Sequence, residues 1–186
     1  MAITSNLALP AQPYDIYAKK DGNNVVILDN QNRQLTKRKC LGQAIMDVLE
    51  WLIDKKAETG DKLVKIVLGP YKFQVTEQPI IVIDFFKKFS TAYPYYQTGI
   101  AIVGSEPMTH IECQGGLPTF LTFENSNNSF PYMNCNIFLD KLFIRLPYAK
   151  YAVVDIINVG SLFVGDLTID AEDSKIGFRA IFSTSG

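Results

Sequence analysis

One histidine, His110, and three cysteines, Cys40, Cys113 and Cys135, are all that this chain of 186 residues offers toward zinc-type or thiol chemistry. No zinc-type cysteine spacing occurs. On a strand, His110 and Glu112 share one face while Cys113 points to the other, so a local Cys/His pair or a compact metal site is disfavoured. No cofactor is expected. Three cysteines cannot all pair within one chain; reduced thiols are the expectation, with a Cys113 to Cys135 bridge as the alternative.

Charge of one sign is equally scarce. The formal net charge is −1, with 13 basic and 10 acidic residues over 1–90 against 5 basic and 9 acidic over 91–186. That balance excludes the strongly positive chain expected when phosphate contacts dominate binding, and leaves a mild asymmetry suited to one basic face or head-to-tail association. Long apolar runs are missing too. The longest, 151–164, is broken by Asp155 and Asn158 and reads as two strands rather than a membrane span. Met1 to Pro13 has neither the basic start nor the apolar core of a secretory leader, so a cytoplasmic or otherwise intracellular protein is expected. The acceptor pattern at Asn127 and Ser129 is then an exposed turn. Gly115 and Gly116 make no nucleotide fingerprint, and Gly160, Ser161 and Gly165 make no nucleophile elbow.

What is abundant is apolar sequence, 47% hydrophobic with 20% charged, enough for a core that buries roughly 70% of the unfolded surface. The longest helical period runs from Thr36 to Gly60. It places Leu41, Ile45, Val48, Leu49 and Leu52 on one face, with Met46 or Ile53 beside them, and turns Asp47, Glu50, Asp54 and Lys55 outward. Thr36 is the expected cap and Gly60 the terminator. Ahead of it, 1–13 reads as a flexible arm. Strands are expected at 14–18 and 25–29, joined through Asp21 and Gly22.

Behind the helix the pattern is strands and turns. Residues 62–68 and 71–76 read as a hairpin about Gly69 and Pro70, and 80–83 as a central strand. Further strands are expected at 99–103, 110–114, 119–124, 135–140, 142–146, 151–157, 161–169 and 175–182, with a polar loop over 125–134. No internal repeat stands out. The expectation is one α+β domain over 14–186, predominantly antiparallel strands forming a sandwich or barrel-like sheet with one long amphipathic helix packed on it.

Three functional readings follow. The first is a non-enzymatic oligomeric or scaffold module, such as a viral or shell-like component, that associates with copies of itself or another protein. It would use sheet-edge pairing, the arm, and an aromatic surface at Tyr93, Tyr95 and Tyr96. The second is single-stranded DNA or RNA binding through Arg33, Lys37, Arg38, Lys39, Lys65 and Lys72, with Tyr71, Phe73 and the same tyrosines available for stacking. The third is metal-assisted phosphoester hydrolysis by Asp166, Asp170, Glu172 and Asp173, against which stands the simpler reading of a solvated hairpin tip.

Overall fold

A computed structural model describes residues 14–61, 63–85, 99–126 and 136–182. The described residues open on an antiparallel meander, β1 (Ile16–Asp21), β2 (Asn24–Asp29) and β3 (Gln34–Arg38), in which Gly22 and Asn23 make the first turn. Helix α1 (Leu41–Thr59) follows, and then twelve strands with no further α-helix among the described residues.

Those twelve repeat in threes. β4 (Leu63–Leu68), β7 (Gly99–Val103), β10 (Asn136–Asp140) and β13 (Ser161–Val164) lie side by side in sheet A. β5 (Lys72–Val75), β8 (Thr109–Cys113), β11 (Leu142–Arg145) and β14 (Leu167–Asp170) form sheet B. β6 (Ile80–Ile83), β9 (Leu121–Glu124), β12 (Ala152–Val159) and β15 (Ile176–Phe182) form sheet C. Every neighbouring pair within this set is parallel. The chain therefore winds as a three-sided parallel β-helix of four turns, and β1 to β3 prolong sheet A beyond its first turn.

The antiparallel sandwich or barrel is thus overturned: sheets B and C are wholly parallel and sheet A is mixed. The physical reason lies in the corners. Gly69 and Pro70 bend the chain from sheet A into sheet B instead of reversing it, so β4 and β5 never pair. Each strand finds its hydrogen-bond partner one turn of the coil away. Thus Leu63 faces Gly99, Gly99 faces Asn136, and Asn136 faces Ser161, offsets of 36, 37 and 25 residues. The expected strand 161–169 is two strands around a corner at Gly165 and Asp166. β6 sits at the margin of sheet C, with Ile80 and Val82 buried and Ile81 and Ile83 exposed, rather than at its centre.

Alternation explains why these strands form. In β4, Val64, Ile66 and Leu68 point inward, and in β8 Thr109, Ile111 and Cys113 do. Corners are tied along the coil axis. Thr119 Oγ1 donates toward Val153 O at 3.1 Å, while Asn125 and Asn158 exchange side-chain bonds to each other's carbonyls at 3.0 and 2.8 Å. One continuous core runs from β1 through α1 to β12.

Helix α1 closes the first turn. Its buried face is Leu41, Gly42, Ala44, Ile45, Val48, Leu49, Leu52 and Ile53, and it packs on β2 to β6. Gly60 ends it in the left-handed region at φ 79°, as expected. The start differs: Cys40 is the cap, in extended geometry and without a side-chain cap bond, and Thr36 belongs to β3. Lys37, Arg38 and Lys39 would oppose the dipole of a first helical turn; in the strand and its end they escape that cost. Thr36 and Arg38 instead reach Asp47 on the helix, at 2.9 and 2.5 Å.

The helix start also touches the β5–β6 corner. A Cβ on Gly42 would lie 1.7 Å from the carbonyl oxygen of Gln78, a backbone atom that cannot step aside. Gly42→Ala should therefore lower stability by about 1 to 3 kcal/mol despite alanine's better helix propensity, as read from urea unfolding. An unchanged or raised midpoint would show that the helix does not press on that corner.

Candidate functional site

The two ends of the coil differ. At the β1–β3 end the interior is sealed by α1. At the other end β13, β14 and β15 each have, among the described residues, a neighbour on one side only, so three parallel edges face the same way. In the third turn the inward side chains Ile137, Leu139, Leu142, Ile144, Val154 and Ile156 are 0–1% exposed. In the last turn Leu162, Leu167, Ile169, Phe178 and Ala180 are only partly buried. Val164 and Ile176, in step with them by alternation, are 46% and 41% exposed. Among the described residues this is a partly exposed apolar cross-section ringed by three sheet edges.

Sheet edges in soluble proteins are usually blunted by lysine, proline or bulges. β3, the opposite margin of sheet A, follows that rule, for it carries Lys37 and Arg38. The segment 161–182 contains no proline, and its only basic residues are Lys175 and Arg179. Arg179 is engaged laterally, gripping the buried Asp155 carboxylate at 2.7 and 2.5 Å. Sequence reading missed this surface because it depends on which strands are last in a coil. The usable signal was the run of apolar alternation in 161–182 without a proline and with Lys175 as its one lysine.

No protein-family model matches the sequence, and no curated protein or solved structure matches it.

The residues singled out for nucleic acid are dispersed. Arg33 holds Asp29 at 2.7 Å, Lys37 holds Asp21 at 2.6 Å, Arg38 holds Asp47 at 2.5 Å and Lys72 holds Glu112 at 3.0 Å. Arg33, Lys37, Arg38 and Lys39 cluster around β3. Lys65 lies three strands away on the outer face of sheet A, and Lys72 lies on sheet B. They form no single stripe. The pairings leave their mark on the acids. Burial pushes the Asp29 carboxyl up, but bonds from Arg33 and Gln31 outweigh it and hold it low. The Lys72 and Arg145 bonds likewise hold Glu112 below the ordinary range against its partial burial. Tyr71 is partly buried and Phe73 is in the core. Tyr93, Tyr95, Tyr96, Cys135 and the arm 1–13 lie outside the described residues.

The acidic segment is part of a ladder across the outer face of sheet B. Arg145 reaches Glu112 at 3.0 Å, Asp170 at 3.1 Å and Glu172 at 3.1 Å, with Lys72 completing the row. His110 stacks on Phe143 from the next strand, centroids 4.9 Å apart. Asp173 occupies the β14–β15 turn at φ 53°, and the Asp166 amide donates to Asp140 Oδ1 at 2.9 Å. Among the described residues no group of three or more His, Cys, Asp or Glu could hold a metal ion. Cys40 and Cys113 are free and buried, and burial, then Cys40 and Glu112, pushes the Cys113 thiol up to about 12. No described helix is long and apolar enough to cross a membrane.

Proposed function

We propose that this chain is a non-catalytic assembly module that associates through the open β13–β15 end. The observation that carries the reading is the contrast between a third turn whose interior is sealed and a fourth whose interior is partly uncovered. Covering that layer buries apolar surface and satisfies three rows of backbone donors and acceptors, and it needs no additional chemistry. The occupant we favour is a second copy. Since α1 closes the other end, two copies can join open cross-sections only face to face, about a two-fold axis, with their edges pairing antiparallel.

This arrangement has a recognisable salt response. Segment 161–182 carries four acidic and two basic residues, so two such ends repel mildly and salt should strengthen the contact. Binding to single strands would respond in the opposite sense. Light-scattering mass between about 1 and about 100 µM should show a monomer giving way to a dimer and no larger ladder. Val164→Lys with Ile176→Lys should raise the dissociation constant at least about tenfold while leaving the circular dichroism spectrum unchanged. A monomer throughout that range would reject self-association.

A further inference from the structure

A second feature lies on the outer face of sheet A and runs inward from its β13 edge. Across four neighbouring strands one row reads Lys65, Ala101, Phe138 and Phe163. Phe138 and Phe163 stack almost parallel, with centroids 4.6 Å apart and 7° between planes, close to the strand spacing of about 4.8 Å. At Ala101 the row drops to a single methyl. There the face opens into a depression of about 490 Å³, with Ala101 in its lining, Phe138 and Lys65 to either side, and Val67 and Val103 in the adjoining row. That volume is in the range of small-molecule sites.

We infer that this depression binds a neutral planar aromatic ring bearing amide-type donor and acceptor groups, seated over Ala101 as the next member of the Phe163–Phe138 stack. The spacing fits, because a ring over Ala101 lies one strand from Phe138 and meets aliphatic side chains along its edge. The rim selects the substituent. Lys141 and Glu106 close the depression as an ion pair at 2.5 Å, offering both donors and acceptors with their charges already offset. A neutral amide exploits both; the charged lining, Lys65 and Lys141 against Glu106 and Asp140, sums to zero and gives an ion of either sign no net attraction.

The test compares two ligands with the same substituent, benzamide and cyclohexanecarboxamide, titrated into the full chain and followed by ligand-observed NMR. Benzamide should saturate with a Kd on the order of 1 mM, as suits a fragment of this size, and the saturated ring should bind at least about fivefold more weakly. Ala101→Leu fills the depression and should weaken benzamide at least about tenfold. Phe138→Leu keeps apolar bulk but removes the ring, and should abolish the preference for the planar ligand. Equal binding of the two ligands overturns the inference, as does benzamide binding that survives Ala101→Leu in a protein with unchanged circular dichroism. If Ala101→Leu disturbs the fold, the Phe138→Leu result decides. None of these readouts depends on whether the chain dimerises through β13–β15.

Discussion

Leu49→Ala should lower the free energy of unfolding by about 3 to 5 kcal/mol, a large part of the 5 to 15 kcal/mol typical of a domain. Leu49 is the residue through which α1 closes the coil. It is 2% exposed and meets Ile66, Ile80, Val82, Ile100, Leu121 and Phe123 around a void of only about 10 Å³. Truncation removes transfer free energy and leaves a cavity that the surrounding strands cannot collapse into, because the hydrogen-bonded coil fixes their separation. Urea unfolding should show a lower midpoint at unchanged slope. Glu50→Ala, one position along on the solvent face, should stay within about 0.5 kcal/mol and serves as the control. A loss below about 1 kcal/mol for Leu49→Ala would mean that the helix rests beside the coil and does not seal it.

The helix is also where local sequence is most informative. Leu41, Ile45, Val48, Leu49 and Leu52 recur at helical spacing, and Gly60 permits the left-handed turn that ends it; both are properties of adjacent residues. β7 and β6 were equally legible in extent, since Gly99–Val103 and Ile80–Ile83 are short apolar runs between turn residues. The start of the helix was misread because Thr36 is an acceptable cap in isolation. What excludes it is its place in β3, beside Ile27 of β2.

Strand pairing was not legible, for a different reason. A hairpin and a coil corner use the same residues, and Gly69 with Pro70 signals a bend without its angle. The partner of Leu63 is Gly99, beyond two other strands and a long connection, and no local pattern marks it. The unequal offsets of 36, 37 and 25 residues further hide the repeat, since self-similarity is visible only at a fixed period. The candidate site inherits that difficulty. Arg33, Lys37 and Arg38 looked like a basic patch because their carboxylate partners Asp29, Asp21 and Asp47 stand apart in sequence or pair only through the fold. Conversely, Val164 and Ile176 look like ordinary core residues until β13 and β15 prove to be the last strands of their sheets.

The fold should be markedly less stable in alkali, losing roughly 3 to 6 kcal/mol between pH 8 and pH 12. Cys113 rises from the ordinary 9.0 to about 12, through burial first and then the neighbouring Cys40 and Glu112. Tyr17 rises from 10.0 to about 12, through burial and then Tyr71 and Tyr14, in the apolar cluster it forms with Val26, Leu28 and Val67 on the outer face of sheet A. Both groups are neutral when protonated, and folding favours that form. Their contribution is therefore complete below the unfolded values, and it is lost as pH climbs through 9 and 10 toward 12, where the unfolded chain ionises and the folded one does not. Cys40 acts in the opposite sense. Burial pushes its thiol up, but backbone groups of Gln43, Glu77, Gln78 and Thr76 bring it below the ordinary value and offset part of the loss. Urea midpoints at pH 8, 9.5 and 10.5 should fall in sequence. Cys113→Ala should flatten both steps and Tyr17→Phe chiefly the second, each read as a slope so that the variant's own packing cost drops out. A midpoint independent of pH across this range would show that neither side chain is as sealed as the sheets around it imply.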